Sequence, residues 1–283
     1  MGSTERNGDC NPAEQCRVCA GVTAFTFCVN VLGRPVEYFD CPTCGYVQTE
    51  TPYWLEQAYG QPIGDADTGI MLRNRANLAR VTTALVALGR LRGRVLDVGG
   101  GFGILVRMLR DLGLEAHWSD KHCENLLAKG FERGSESYDL ATAFEVVEHL
   151  EHPLDEIRSL LTTAPAVLIS TELAPEPGEL TPSWWYLVPE YGQHIGFFRK
   201  STLAWIAREL GYHHATDGQS VHLFSTNPSV ARRWSMIRRM TRIAPLLARL
   251  ALQSRTTADF EIARSRMQTS LLSQQEPDDG NHP

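Results

Sequence analysis

No stretch of the 283-residue chain reaches the roughly 18 consecutive apolar residues that a membrane-spanning helix needs. The opening segment, MGSTERNGDCNPAEQ, lacks the apolar core of a secretory leader. A cytoplasmic protein is the expectation. Positive charge is scarce in the body: residues 1 to 227 carry 18 Lys/Arg against 28 Asp/Glu, while residues 228 to 283 carry 9 against 5. Neutralising a phosphate backbone takes clustered cations, so a nucleic-acid substrate is disfavoured. No internal repeat is present, which excludes a repeat architecture. At 43% hydrophobic and 21% charged, the composition suits one full-sized core with a smaller appendage.

The cysteines are few, seven, and unevenly placed. Four form two Cys-x-x-Cys pairs, Cys16/Cys19 and Cys41/Cys44, separated by a segment rich in β-branched and aromatic residues with LGRP as a turn. Four thiolates make a closed tetrahedral site with no open position for a substrate water, so the pattern reads as a zinc ribbon with a structural ion. Cys10, Cys28 and Cys123 are left over and read as incidental.

Along the chain the expected units are a flexible N-terminus (1–13), the ribbon (14–50), a helical connector or cap (51–92), a cofactor-binding domain (93–228), a basic helical extension (229–268) and a disordered tail (269–283). In the connector, Tyr59, Asp65, Asp67 and Arg73 lie in a Gly-punctuated loop that would serve as surface or as a cap over a ligand. From residue 94, short apolar runs alternate with helical patterns, KHCENLLAKGF among the latter, and two strand-like runs close the series. That alternation predicts an α/β fold with a doubly wound parallel sheet. The basic extension would pack on the acidic body or make weak peripheral contact with anionic lipid. The sequence carries no signal for oligomeric state.

The glycine cluster Asp97-Val-Gly99-Gly100-Gly101-Phe102-Gly103 lies where the first strand of this domain hands over to a helix. Glycines there let a ligand sit against bare backbone N–H groups. Asp120 then ends the second strand, where a carboxylate accepts ribose hydroxyls. The spacing Asp-x-Gly-x-Gly-x-Gly resembles motif I of class I S-adenosylmethionine-dependent methyltransferases, and EVVEHLEHP after the fourth strand resembles their Glu-His-Pro pattern. Together with NPAEQCRVCA, CPTCGYVQTETPYWLEQAY and WWYLVPEYGQHIGFF, the chain is similar to a bacterial family of zinc-ribbon methyltransferases associated with surface-glycan or natural-product biosynthesis. The resemblance implies a Rossmann-like sheet of seven strands. It also implies an S-adenosylmethionine site drawn from Asp97, Gly99, Gly100, Gly101, Gly103, Asp120, Lys121, Phe144 and Glu145.

Glu145, Glu148 and His149 follow the fourth strand, and His194 follows the fifth after a long loop. Both positions open on the carboxyl edge of the sheet. A sugar or alcohol hydroxyl holds its proton tightly, so its methylation needs a base, a metal ion, or both. Plant small-RNA 2'-O-methyltransferases resemble this chain in a Glu-x-x-Glu-His set with a later histidine. That resemblance implies Mg or Mn on Glu145, Glu148, His149 and His194. Sugar C-methyltransferases resemble it in a histidine before an aromatic pair, and that resemblance implies a base role for His194. Trp184, Trp185, Tyr186 and Tyr191 are the candidate substrate wall. The expected function is O-methylation of a sugar, glycoconjugate or secondary metabolite. The alternatives are RNA methylation using the ribbon, sugar C-methylation and a non-catalytic scaffold.

Overall fold

A computed structural model of the protein describes residues 14–60 and 67–273. The expectations for residues 1–13, Asp65 and the end of the tail from 274 lie outside the described residues.

The chain opens with β1 (Ala24–Val31) and β2 (Arg34–Asp40), an antiparallel hairpin turned at Leu32-Gly33, then β3 (Val47–Thr49). The connector follows as α1 (Leu55–Ala58) and α2 (Ile70–Leu88), the latter ended by Gly89 in the left-handed conformation. Next come β4 (Arg94–Val98), α3 (Ile104–Leu112), β5 (Glu115–Ser119), β6 (Leu140–Phe144), α4 (Pro153–Leu161) and β7 (Ala166–Ser170). After a long loop the chain continues through β8 (Gly196–Phe197), α5 (Lys200–Leu210), β9 (His213–Thr216) and β10 (Val221–Ser225). It ends in α6 (Pro228–Ile237), α7 (Ala244–Ala251) and α8 (Thr256–Ser273). Proline opens α4 and α6 at a position whose N–H has no intrahelical partner, and Asn227 caps α6 by accepting from the Ser229 amide at 2.9 Å.

The main sheet runs β5-β4-β6-β7-β10-β9, with the first four strands parallel and the last two forming the closing hairpin. This is the expected Rossmann-like α/β fold, but with six strands among the described residues instead of seven. Beyond β5 the sheet continues only as one parallel bridge, Trp118 to Glu132. The helix expected over KHCENLLAKGF is also absent, and the cause is local. Asp120 captures the His122 and Cys123 amides and Asn125 captures that of Ala128, so side chains take backbone donors that a helix would use. At the other end α8 runs to Ser273, so residues expected in a disordered tail from 269 are helical to that point.

β7 and β10 are buried along their whole length, as strands covered on both faces must be. One core packs α2, α3 and α6 on one face, through Leu85, Leu109 and Trp234. The other includes the ribbon: Cys16, Cys41, Cys44 and Tyr46 share a cluster with Leu96, Ile169 and Phe198. The ribbon's sheet is completed from the same direction, because β8 pairs with β3 to give the order β1-β2-β3-β8.

Candidate active site

Strand order reverses around β4, with β5 on one side and β6 on the other, so a crevice opens at their carboxyl ends. The glycine loop forms its floor. Gly99 and Gly103 have φ of +69° and +83°, and a Cβ on Gly99 would lie 2.4 Å from Val146 Cγ2. Glycine is required there by both conformation and space. Asp97 is buried beneath the loop, where burial pushes its carboxyl up to about 7 although the Thr142 hydroxyl donates to it at 2.6 Å. Asp120 accepts from the Gly101 amide at 2.9 Å and so ties β5 to the loop. Trp118 donates to the Gly101 carbonyl at 2.8 Å, a brace with no motif to announce it in the sequence. Lys121 extends into solvent beside Glu156, 3.7 Å away. Phe144 ends β6, half-buried against the core.

Glu145 sits one residue beyond β6 with φ +55°, a left-handed conformation that disfavours a non-glycine residue. The Ser170 carbonyl and hydroxyl oxygens both accept from its amide at 3.1 Å, and the Ser170 hydroxyl donates to its carboxylate at 2.5 Å. The Tyr186 phenol lies 3.0 Å from Glu145 Oε2 and 2.7 Å from Glu148 Oε1. One phenol has one proton to give, so the second contact needs a proton from a carboxyl. Of the two, Glu148 is the one biased towards the neutral form: full burial, then the charge of Glu145, raise its carboxyl well above the usual range. The Tyr186 hydroxyl thus bridges the two carboxyl groups.

Beyond this chain of hydrogen bonds lie the histidines. Glu148, His149 and His194 each offer a ligand atom within 4.8 Å of the others, and the His149 and His194 rings meet edge to face at 5.0 Å. Glu145 is outside that set, and its carboxylate is engaged by Ser170 and Tyr186. The four-ligand set expected from the sequence contracts to three. The His194 Nδ1–H donates to the Tyr186 carbonyl at 2.7 Å, which leaves Nε2 with the lone pair. Burial lowers the His194 imidazole below its ordinary range and takes His149 down to about 3, with the neighbouring His194 adding to the effect. Both rings are neutral at pH 7. Two buried atoms of the cluster, Glu148 Oε2 and His149 Nδ1, have no protein partner among the described residues.

The expected substrate wall divides. Tyr186 is buried inside the acid network and does not line a surface, because its ring packs in a core with Tyr38, Trp54 and Phe197. Trp184 is half-buried against Phe197, Tyr191 is half-buried, and Trp185 is exposed. In the connector, Tyr59 stacks flat on His122 at 4.4 Å and lies 6.5 Å from His149. Ser170 and Thr142 carry no motif that would have marked them.

The four ribbon sulfurs also lie within 4.8 Å of one another. Cys16 to Cys44 is 3.6 Å and Cys19 to Cys41 is 3.4 Å. These separations are too long for the ~2.05 Å of a disulfide. They approach the roughly 3.8 Å edge of a tetrahedron with zinc–sulfur bonds of about 2.3 Å. The residues therefore fit a closed zinc site. Arg17, inside the first Cys-x-x-Cys, donates to the Ile195 carbonyl at 2.5 Å, next to His194. Arg199 pairs with Asp40 of β2 at 2.8 and 2.7 Å and is almost fully buried.

The pattern of a methyltransferase domain family matches residues 71–215, just over half of the chain. The chain belongs to this methyltransferase family. It is an enzyme of the S-adenosylmethionine-dependent class. Similar solved structures include the 1,6-didemethyltoxoflavin-N1-methyltransferase of Burkholderia thailandensis, at 16% identity over 69% of this chain and 96% of that one, TM-score 0.43. Another is the magnesium protoporphyrin IX methyltransferase of Synechocystis PCC 6803, at 18% identity over 62% and 93%, TM-score 0.40. At such identities the likeness concerns the fold alone. No curated protein matches the chain.

Proposed function

We propose that this methyltransferase methylates a hydroxyl oxygen of a small molecule, a sugar, glycoconjugate or secondary metabolite. Asp97, Gly99, Gly100, Gly101, Gly103, Asp120, Phe144 and Glu145 form the methyl-donor pocket. The observation that carries the reading is the convergence of Glu148, His149 and His194 beside the carboxyl edge of the sheet.

S-adenosylmethionine supplies an electrophilic methyl carbon when bound, so the protein must align the acceptor, exclude water and remove the acceptor's proton. His194 Nε2 is suited to proton removal, because its tautomer is fixed by the Tyr186 carbonyl and the ring is neutral at pH 7. Tyr186 holds Glu148 and Glu145 behind the histidines, so the carboxyl groups position the base from within the core. Trp185 supplies the exposed edge of the acceptor site.

A second reading is favoured by the partnerless Glu148 Oε2 and His149 Nδ1. A divalent ion on Glu148, His149 and His194 would displace the Glu148 proton and make a bound hydroxyl more acidic. Two imidazoles with one carboxylate suit Mn better than Mg. The ribbon cysteines hold a structural zinc under either reading.

The test is transfer of a labelled methyl group to a panel of sugars and hydroxylated metabolites, before and after removal of divalent ions with zinc retained at one per chain. The base reading expects O-methylated product in both samples. The ion reading expects loss after removal and recovery with Mn. Absence of transfer to any hydroxyl contradicts both.

A further inference from the structure

α7 is packed with its small residues inward and its large ones outward. Ala244 and Ala248 are buried, while Ile243, Leu246, Leu247 and Leu250 are 51%, 56%, 42% and 87% exposed. Their spacing of three, four and seven places them on one face of the helix. A surface helix ordinarily buries such a stripe. α7 rests on α2 and α3, and among the described residues nothing covers its outer face.

The charge around the stripe is of one sign. Residues 228 to 258 contain seven arginines and no Asp or Glu, against a body with more acids than bases. Arg239, Arg242 and Arg249 flank the stripe, and none forms an ion pair among the described residues. Met236, 77% exposed, continues the apolar surface from α6. A row of aliphatic side chains rimmed by unpaired arginines matches an anionic bilayer surface, whose acyl boundary takes the former and whose phosphates take the latter. Self-association through this face fits poorly, because a two-fold contact would bring the arginines of both copies together with no acid in residues 228 to 258 to neutralise them. Nucleic acid would leave the leucines without a partner.

We propose that the α7 face, with the adjoining end of α6, docks the enzyme on an anionic lipid surface. The helix lies in the interface with Leu246 and Leu250 inserted and Arg242 and Arg249 on the headgroup phosphates. Contact of this kind is peripheral: among the described residues no helix is long and apolar enough to cross a membrane.

Sedimentation of the full chain with vesicles of phosphatidylcholine, with and without phosphatidylglycerol, tests the proposal. The protein should pellet with the phosphatidylglycerol vesicles and remain in the supernatant with phosphatidylcholine alone or at high salt. Leu246→Ser with Leu250→Ser should abolish pelleting, and Arg242→Gln with Arg249→Gln should weaken it about five-fold per arginine. The substituted side chains are on the surface, and unchanged circular dichroism confirms that each variant is folded. Wild-type protein that stays in the supernatant, or leucine variants that pellet as well as wild type, overturns the proposal. So does a stable wild-type dimer, in light scattering, that the leucine substitutions dissociate.

Discussion

The ribbon and the active site each gather donor side chains, but they do so in opposite ways. The ribbon takes four sulfurs from two short knuckles and gathers them into one cluster, all within 4.8 Å of one another. The candidate active site takes a carboxyl group and two imidazoles from segments 45 residues apart in sequence, between His149 and His194, and leaves atoms without partners among the described residues. A closed set stabilises the fold, whereas an open set retains capacity for a substrate proton or an ion. The two are physically joined. Arg17 and β3 hold the segment around His194, and Arg199 fastens β2 to the start of α5. The ribbon is thus a wall of the catalytic domain that sets the position of His194.

The largest expected effect breaks the closed site. Cys41→Ser should release the zinc and collapse the soluble yield, since structural zinc contributes on the order of 10 kcal/mol or more to folding in small modules. Metal analysis with thermal unfolding checks this. A fully folded, zinc-free variant would show the ribbon zinc to be dispensable.

Next comes the join. Arg199→Met leaves Asp40 without its buried partner and should destabilise the protein by about 3–5 kcal/mol, measured by denaturant unfolding. A loss below about 1 kcal/mol would mean the pair is effectively solvated.

Within the open site, Tyr186→Phe removes the hydroxyl that bridges Glu145 and Glu148. Turnover should fall by about 10²-fold, while affinity for S-adenosylhomocysteine is retained. Equal losses in both would assign Tyr186 to the cofactor pocket instead.

The smallest effect is a pH response. Burial holds His194 below its ordinary 6.5, so the imidazole is a free base at neutrality and protonates only as pH falls. Turnover under saturating substrate should therefore be flat from pH 8 to about 6.5 and decline only below it. A decline that begins above pH 7 would mean that another group controls the reaction.

Much of this is legible in the sequence because the signals are local. The Cys-x-x-Cys pairs, the glycine loop that begins at Asp97, and the Glu-x-x-Glu-His segment are each set by spacing within a few residues. Tyr186 reads as part of a substrate wall in the sequence because its burial depends on Tyr38, Trp54 and Phe197, which come from other segments of the chain. Ser170 ends an apolar strand and gains its role only from the left-handed turn at Glu145. The missing helix after Asp120 shows the converse: a plausible helical pattern yields where Asp120 and Asn125 capture backbone amides. The reach from Arg17 to Ile195 spans 178 residues and has no sequence signature.

The central claim, that an open Glu-His cluster carries out proton removal beside an intact donor pocket, is tested most directly in His194→Gln. Methyl transfer and S-adenosylhomocysteine affinity should be measured on the same preparation. The prediction is unchanged affinity with transfer reduced by about 10²–10⁴-fold, the range for loss of a general base. Transfer at the wild-type rate would contradict it.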